Sequence, residues 1–258
     1  MKRFGIIGHP VAHSMSPVLF TAAYQGRYPY DRIEGAVFSE SWERFLRGYD
    51  GINVTAPFKE DAFRACDALS PEARRIGAVN LVVKAADGST TGYNSDYDGV
   101  RLALEEAGVR PCSALVIGCG GAGKAAAAAA LDLGCSLTLV NRSLPRAESL
   151  AASLSGESSV RALPMERLKD AIRSADLILY TVPGAMDTCP PEAVAALMEG
   201  RGSVLLEANY RDPVFSQALL PQGCRYISGR RWLMHQAAAG YIRFTGEAPD
   251  AEAIARAI

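Results

Sequence analysis

The sequence predicts an α/β fold in which the central and C-terminal parts form a doubly wound parallel sheet. From residue 115 to about residue 229, short apolar segments alternate with helical segments, a pattern that is typical of a parallel sheet covered by helices on both faces. The length of 258 residues, 49% of them hydrophobic, allows two domains with sizeable cores. The predicted strands of the parallel sheet are 115–117, 137–140, 160–163, 177–182, 204–207 and 225–227.

A glycine-rich turn joins the first of these strands to an alanine-rich helix. Gly118, Gly120 and Gly123 fit the pattern G-x-G-x-x-G, and Gly121 and Ala122 lie between them. The glycines of this pattern permit a tight turn, let the backbone approach a pyrophosphate and allow close helix packing, while amides at the start of the helix face the anion. A turn without a ligand is the alternative. Because the strand and helix that the mechanism requires are both present, we favour dinucleotide binding.

The N-terminal elements begin with a short buried strand, 4–8, followed by a loop and a helix that runs to about Tyr24. Pro17 stands where the first helical residue is expected, which makes Ser16 the predicted N-cap. Ser14 has no comparable structural role. Two hydroxyls beside a helix start can also hold a carboxylate.

A strand near 32–38 and a helix near 41–47 follow, and then a second informative segment. Ile52 and Val54 mark a strand, and Pro57 is predicted to open a helix. Lys59 then falls in the first helical turn, where the helix dipole disfavours a cation. A residue that breaks a local rule suggests a function, although an ordinary solvated lysine is an equally acceptable interpretation of this feature alone.

Two strands over 76–84 and 89–94 are predicted to form a hairpin through Asp87-Gly88. The next helix runs to Gly108, and Ser95 with Asp98 fits a capping box at its start. Asp96 lies in the first turn, where an acidic residue is favourable for purely structural reasons. After the parallel sheet, helices are predicted over 229–244 and from residue 251.

The segment after the second parallel strand indicates which dinucleotide binds. It reads Asn141-Arg142-Ser143, with Arg146 three residues further on. An NAD site would place an acidic residue here to accept from the ribose hydroxyls, whereas arginine can bind a 2'-phosphate. Two surface arginines are the structural alternative. The absence of an acidic residue favours NADP.

Composition favours a small-molecule partner. The net charge is -1, with no basic run, which gives no attraction to nucleic acid or anionic lipid. The six cysteines are scattered without metal-ligand spacing, so we expect no metal site and reduced thiols, as in cytoplasm. The apolar run at the N-terminus is too short for a signal peptide, and no segment has the length of a membrane span.

Several separated segments resemble the shikimate dehydrogenase family, and the resemblance covers nearly the whole chain. Their order and spacing make the match specific. The matching segments are His13-Ser-Met-Ser-Pro17, Asn53-Val-Thr-Ala-Pro-Phe-Lys59, Gly77-Ala-Val-Asn80, Asn94-Ser-Asp96, Gly118-Cys-Gly-Gly-Ala122, Asn141-Arg-Ser143, and Gln236-Ala-Ala with Thr245-Gly246.

The resemblance implies an N-terminal α/β substrate-binding domain, a Rossmann NADP-binding domain, and C-terminal helices that return to the first domain. We expect the catalytic domain to comprise 1–97 and 236–258 and the Rossmann domain 98–235, with the active site in the cleft between them. The implied reaction is reversible reduction of 3-dehydroshikimate to shikimate by NADPH, a step of aromatic amino acid biosynthesis in the shikimate pathway.

The resemblance also assigns roles to residues. Lys59 and Asp96 match the family's catalytic pair, with Lys59 delivering a proton to the oxygen that becomes an alkoxide. Ser14 and Ser16 match positions that bind the substrate carboxylate. The remaining substrate positions, including those that hold ring hydroxyls, are Thr55, Asn80, Asp96, Gln236 and the tyrosine Tyr210.

The chain departs from the family pattern beside the cofactor. Tyr180, Thr181, Val182 and Ala185 stand where the family usually has asparagine, alanine, threonine and, before a methionine, glycine. Trp232 replaces the methionine that lies against the nicotinamide in the family. Val182 and Trp232 are therefore expected at the cofactor, in altered contacts.

Two further departures concern the substrate. Leu81 replaces the usual threonine after Asn80, and Tyr97 replaces the usual glycine after Asp96. These changes leave a dehydrogenase for quinate or an aminoshikimate-type compound as an alternative, and a non-catalytic ligand-binding paralogue as another. Arg142 argues against an NAD-preferring quinate enzyme, and the intact pair Lys59 and Asp96 argues against a non-catalytic protein. We expect a monomer or homodimer.

Overall fold

The computed structural model describes residues 1–154, 160–182, 196, 203–211, 213–216 and 223–258. The chain divides into two compact units. Unit 1 comprises Met1–Gly99 and Met234–Ile258, and unit 2 comprises Val100–Leu233. No helix within the described residues is both long enough and apolar enough to cross a membrane.

Unit 1 contains a mixed six-stranded sheet in the order β2-β1-β3-β5-β6-β4. Strand β1 pairs in parallel with β2 and β3, whereas β5 runs antiparallel to β3 and β6. Buried aliphatic and aromatic side chains, among them Ile7, Ile52 and Phe45, form its core. The strands are β1 (Phe4–Gly8), β2 (Tyr30–Glu34), β3 (Gly51–Val54), β4 (Ala68–Leu69), β5 (Leu81–Lys84) and β6 (Thr90–Tyr93).

The described helices of unit 1 follow its strands and carry much of its core. Helix α1 opens with proline in its first turn, and α4 is capped by Ser70, whose hydroxyl accepts from the Ala73 N–H at 3.1 Å. The helices are α1 (Ser16–Ala23), α2 (Phe38–Gly48), α3 (Lys59–Ala65), α4 (Pro71–Ile76) and α5 (Ser95–Glu106), of which the last continues into unit 2.

The described residues of unit 2 form a six-stranded sheet in which all pairs are parallel, in the order β12-β11-β10-β7-β8-β9. Counted from β7, this is the Rossmann order 6-5-4-1-2-3. The α/β fold class with a doubly wound sheet is therefore confirmed. The strands are β7 (Ser113–Ile117), β8 (Ser136–Val140), β9 (Val160–Leu163), β10 (Leu177–Tyr180), β11 (Val204–Glu207) and β12 (Arg225–Ile227).

The described helices that accompany this sheet are α6 (Gly121–Asp132), α7 (Leu144–Leu154), a 3₁₀ turn (Met165–Arg167) and α8 (Leu168–Ser174). Helix α9 (Gly229–Thr245) begins in unit 2 and ends in unit 1. Helix α10 (Ala251–Ala257) is capped by Asp250, whose carboxylate accepts from the Ala253 N–H at 2.8 Å.

Two predicted strands of unit 1 have wrong bounds. Strand β2 ends at Glu34 because it pairs only with β1, which ends opposite at Gly8. Phe38 instead begins α2, where its ring packs on Trp42 one turn later. The strand predicted over 76–84 begins only at Leu81, because the preceding residues close helix α4 at Gly77, which has a left-handed φ of 69°.

Candidate active site

Lys59 is the first residue of α3. The Phe58 N–H donates to the Thr55 carbonyl at 3.0 Å, which closes a turn before the helix begins. Pro57 lies inside this turn, so the prediction that Pro57 opens the helix is wrong. The first helical acceptor is the Phe58 carbonyl, which receives the Ala62 N–H at 2.9 Å. The Lys59 side chain thus starts at the positive end of a helix, as the sequence indicated.

Lys59 and Asp96 form a largely buried ion pair in which Lys59 Nζ donates to Asp96 Oδ2. Their side chains are 18% and 6% exposed. Two N–H groups of Lys59 and the second oxygen of Asp96 have no further partner in the described chain. A buried pair is stabilised only when its remaining donors and acceptors are also satisfied, so this pair suits a polar ligand.

Asp96 is positioned by the start of helix α5. The Asn94 side chain caps this helix, accepting from the Tyr97 N–H at 3.2 Å, and Ser95 is already helical. The predicted capping box of Ser95 and Asp98 is therefore wrong. Asp98 instead forms an ion pair with Arg243 at 3.0 Å, because α9 brings that cation beside α5.

Asn80 contacts Ser95 through its side-chain oxygen, and its side-chain NH₂ group remains without a partner in the described residues. Its Oδ1 accepts from the Ser95 N–H at 2.7 Å and lies 3.3 Å from the Ser95 hydroxyl. These contacts fix the orientation of the amide, so Nδ2 points away from Ser95. Asn80 is 1% exposed, and Nδ2 has no hydrogen-bond partner in the described residues. An unpaired buried donor is costly, which makes Nδ2 a natural partner for a ligand oxygen.

Ser14 and Ser16 lie in the loop and first turn that follow β1. Ser16 is the first residue of α1. The prediction that Ser16 is the N-cap of this helix is therefore wrong. The Ser14 hydroxyl accepts from the Ser16 N–H at 3.2 Å, so Ser14 takes the structural role that we had assigned to Ser16. Pro17 in the first turn lacks an N–H, so this contact satisfies one of the few N–H groups that the helix start leaves unpaired.

Arg32 is a neighbour of this loop that the sequence analysis did not identify. Its guanidinium donates from Nη2 to the Ser14 carbonyl at 2.9 Å, and its other N–H groups have no partner in the described residues. An arginine in an edge strand gives no sequence signal, because such side chains are ordinarily solvated. Here it adds a positive charge beside the two serines.

Helix α9 connects Gln236 to the same part of unit 1. Gly240, one turn after Gln236, approaches so closely that an added Cβ would lie 2.8 Å from Leu81 Cδ1 and 3.2 Å from Ser95 Oγ. Tyr241 donates to the Ser16 carbonyl at 3.2 Å. Leu81, which replaces the family's threonine, is fully buried against this helix.

Thr55 lies half-buried at the end of β3, and its N–H donates to the Ile7 carbonyl at 2.9 Å. Unit 1 therefore brings several of the predicted residues onto elements that touch one another. These are Ser14, Ser16, Thr55, Lys59, Asn80, Asp96 and Gln236.

The glycine-rich turn of unit 2 has the geometry that the sequence predicted. Gly118 has φ 99°, which favours glycine, and an added Cβ at Gly123 would collide with the Gly118 carbonyl. Gly120, in contrast, faces open space. The turn thus packs tightly on its inner side and leaves backbone accessible at Gly120, the position that approaches a pyrophosphate in this motif.

Asn141 joins this turn to the loop after β8. Its Oδ1 accepts from the Cys119 N–H at 3.2 Å, and its Nδ2 donates to the Ser143 carbonyl at 3.0 Å. The Asn141 amide therefore fixes the loop after β8 against the glycine-rich turn, and it retains a second N–H and a second acceptor position. Arg142 and Ser143 are exposed beside it.

Two cations influence the turn electrostatically. Burial raises the pKa of the Cys119 thiol to about 11, and Arg146 and Lys124 oppose this shift. Both cations therefore lie near the turn. Lys124 is a residue that the sequence analysis missed, although it directly follows the glycine pattern.

The atypical residues at the end of β10 and directly after it contribute to the protein interior. Tyr180 is 1% exposed and packs edge-on against Phe215, with ring centroids 5.3 Å apart. The Thr181 hydroxyl lies within hydrogen-bond distance of the carbonyls of Ile117 and Gly118, at 3.0 and 3.1 Å. Val182 packs partly against the core. Ala185 lies outside the described residues.

Trp232 is 4% exposed, and its indole N–H has no hydrogen-bond partner within the described ranges. Tyr210 is half-buried, with the Arg211 guanidinium 5.8 Å from its ring centroid. Both residues lie in unit 2. A buried indole N–H without a partner is an unsatisfied donor at the position that the family resemblance places beside nicotinamide.

Glu207 was not identified from sequence, yet it anchors the segment that carries Tyr210. It is fully buried and accepts from the N–H groups of Val214 and Phe215 at 2.7 and 3.1 Å, and from the Tyr226 hydroxyl at 2.9 Å. Burial raises the pKa of this carboxyl, while the three donors oppose the shift.

Two protein families match consecutive parts of this chain. The family described as "Shikimate dehydrogenase substrate binding domain" matches residues 6–82, and "Alanine dehydrogenase/PNT, C-terminal domain" matches residues 82–198. An NADP(+)-dependent shikimate dehydrogenase of Moorella thermoacetica is 37% identical, covering 95% of this chain and 89% of that protein. The chain belongs to the shikimate dehydrogenase family.

Solved structures of similar proteins align with nearly the whole chain. A shikimate dehydrogenase of Thermus thermophilus, crystallised with NADP(H) and shikimate, is 31% identical with a TM-score of 0.86, over 100% of this chain and 98% of that one. Quinate dehydrogenase of Corynebacterium glutamicum, in complex with NAD, is 28% identical with the same TM-score, over 99% and 98%. Shikimate dehydrogenase relatives thus include proteins with different substrates and cofactors.

Proposed function

We propose that this protein is an NADP-dependent shikimate dehydrogenase, which interconverts 3-dehydroshikimate and shikimate in the cytoplasm. The observation that carries the proposal is the buried group of Lys59, Asp96 and Asn80, whose unused donors and acceptors face no partner in the described chain. A ring with adjacent hydroxyls satisfies such a set, because each hydroxyl both donates and accepts.

Lys59 is the proposed proton donor. Its ammonium is held by Asp96 Oδ2, which leaves two N–H groups for the substrate oxygen at C3. In the reductive direction Lys59 transfers a proton from Nζ to that oxygen as negative charge develops on it. In the reverse direction the neutral amine removes the proton. A positioned acid or base of this kind contributes roughly a hundred- to ten-thousandfold in rate.

Asp96 and Asn80 are proposed to orient the ring. Asp96 keeps one oxygen to accept from a ring hydroxyl, and Asn80 Nδ2 donates to a ring oxygen. Thr55, Tyr210 and Gln236 are assigned to the substrate by the family resemblance. The hydroxyls of Ser14 and Ser16, beside the charge of Arg32, are assigned to the carboxylate.

The residues of unit 2 fit NADP. The open backbone at Gly120 suits a pyrophosphate, with Gly118, Gly121, Ala122 and Gly123 shaping the turn. Arg142 and Arg146, with Ser143, suit the 2'-phosphate that distinguishes NADP from NAD. When bound, NADPH supplies the hydride for the carbonyl carbon. We assign Val182 and Trp232 to the nicotinamide end.

The test is the absorbance of reduced nicotinamide with purified protein, offering shikimate and quinate, each with NADP and with NAD. We expect rapid reduction of NADP by shikimate and much slower reactions in the other three mixtures. Faster turnover of quinate than of shikimate would contradict the proposed substrate. Faster turnover with NAD than with NADP would contradict the proposed cofactor. Absence of turnover in all four mixtures would contradict the proposal and leave an aminoshikimate-type substrate or a non-catalytic protein, which calorimetry with each ligand would distinguish.

A further inference from the structure

Two cysteine thiols of unit 2 lie in contact at the amino ends of two neighbouring strands of the parallel sheet. Cys112 directly precedes β7 and Cys135 directly precedes β8, and these neighbouring strands pair from Ser113 opposite Ser136. The Ser136 N–H donates to the Cys112 carbonyl at 3.0 Å, so the register continues to the two cysteines. Their sulfur atoms are 3.6 Å apart.

The sheet register makes a covalent link between these two residues sterically accessible. Adjacent strands lie about 4.8 Å apart, within the separation of roughly 4.4–6.8 Å that disulfides span between Cα atoms. Cys112 is half-buried and Cys135 is 1% exposed. A small disulfide can therefore reach Cys112 first, and Cys135 is placed to attack the resulting mixed disulfide.

We propose that Cys112 and Cys135 form a reversible dithiol–disulfide site that reacts with oxidised low-molecular-weight thiols. In the first step the Cys112 thiolate attacks one sulfur of the small disulfide and expels its first thiolate. The Cys135 thiolate then attacks Cys112 Sγ and expels the second. The two protein thiols lose two electrons and two protons, and the small disulfide is reduced to two thiols. The reaction is thiol–disulfide exchange and needs no other oxidant.

The groups around the cysteine pair determine the rate of thiol–disulfide exchange through the pKa of Cys112. Burial, the Cys135 thiol and the carboxylate of Asp176 all raise the pKa of Cys112. Because the thiolate is the attacking species, exchange is slow at neutral pH and its rate rises about tenfold per pH unit between pH 7 and 9. Strand β7 separates the pair from the glycine-rich turn by roughly 17 Å, so the site is distinct from the proposed cofactor site.

The experiment incubates the native protein with oxidised glutathione and follows it by mass spectrometry and peptide mapping. We expect a protein that has lost two hydrogen atoms, carries no glutathione, and yields a cross-linked peptide joining Cys112 to Cys135. Dithiothreitol should restore the original mass. Glutathione that remains attached to Cys112 of the wild-type protein, or the absence of the cross-linked peptide, would overturn the proposal.

Matched variants distinguish the thiol that attacks the small disulfide, Cys112, from the thiol that resolves the mixed disulfide, Cys135. In Cys135→Ser the glutathione adduct on Cys112 should persist, whereas in Cys112→Ser the cross-link should not form. Cys66→Ser is the control, because Cys66 is also half-buried with a pKa raised to about 12, and it should leave the cross-link unchanged. Since the readout is covalent, it is independent of whether the protein reduces 3-dehydroshikimate.

Discussion

The donors and acceptors that the candidate site offers to a ligand are those that each side chain does not use in hydrogen bonds within the protein. The side-chain oxygen of Asn80 accepts from Ser95, so that only the Nδ2 donors remain for a ligand. One carboxylate oxygen of Asp96 accepts from Lys59, so that the other remains as an acceptor. The site therefore presents donors and an acceptor in fixed places. This pattern selects hydroxylated rings more sharply than apolar contacts could, because an unmatched buried polar group is costly.

Replacement of Lys59 by methionine tests the proton transfer. Lys59→Met keeps most of the side-chain length and removes the ammonium, so kcat with shikimate and NADP should fall by roughly a hundredfold or more. Steady-state kinetics and shikimate binding by calorimetry measure the effect. Lys84→Met is the control, because Lys84 is a partly exposed lysine that donates to the Leu46 carbonyl in the same unit. Turnover within a few-fold of wild type in Lys59→Met would rule out the assigned role.

Replacement of Arg32 tests the charge beside Ser14 and Ser16. Arg32→Ala should raise the KM for shikimate by roughly fivefold at low salt, the size expected for one exposed charge interaction. The KM for shikimate methyl ester, which lacks the negative charge, should not change. Arg44→Ala is the matched control, because Arg44 is exposed and also donates to a backbone carbonyl, that of Glu34, at 3.1 Å. Equal effects on the acid and the ester would show that Arg32 acts only on the loop.

At the scale of elements, the turn between β7 and α6 combines a packing requirement with a binding surface. Gly123→Ala should lower the free energy of unfolding of unit 2 by roughly 2 kcal/mol, because its methyl group meets the Gly118 carbonyl. Gly120→Ala, which meets open space, should preserve stability and weaken NADP binding. Urea unfolding and calorimetry with NADP separate the two effects. Equal stability loss in both variants would contradict the distinction.

The elements were largely predictable where one local pattern dominated. The strand, glycine turn and alanine-rich helix around Gly118 all indicate the same structure, and that part of the sheet was predicted correctly. The bounds of β2 depend on where β1 ends, and the cap of α5 depends on a competition between Asn94 and Ser95. Pairing partners of this kind are distant in sequence, so local patterns do not specify them.

The same distinction explains which site residues were found. Lys59 was identified because a cation is unfavourable at the N-terminus of a helix, and Gly118 because it belongs to a glycine motif. Arg32 and Glu207 violate no local rule in the sequence. Their roles follow from Ser14 in one case and from Val214 and Phe215 in the other, contacts that only the folded chain creates.

At the scale of the whole molecule, acid stability should depend on a carboxylate that ties strands together. Asp176 Oδ2 accepts from the Ser113 N–H at 3.0 Å and its hydroxyl at 2.6 Å, which lowers the pKa of Asp176. A carboxyl with a lowered pKa in the folded state stabilises the protein above its unfolded pKa of about 3.9, and this contribution is lost as pH falls through the folded pKa.

Asp176→Asn should therefore unfold at a lower temperature than wild type at pH 7, and the difference should shrink at pH 3. Thermal unfolding at the two pH values measures it. Asp170→Asn is the control, since Asp170 is an exposed residue paired with Arg167 and should show little difference at either pH. A difference that is independent of pH would mean that the carboxylate charge does not matter.

The division of the chain has a consequence for its biosynthesis. Unit 2 is one continuous stretch, Val100–Leu233, whereas unit 1 needs Met234–Ile258 in addition to Met1–Gly99. The ribosome therefore synthesises every residue of the nucleotide-binding sheet before it reaches the segment that completes unit 1. Until then, the surfaces of Leu81 and Ser95 that Gly240 will cover stay open to water, and to chaperones that bind nascent apolar surface. The first half of the protein to be made is the last to finish folding.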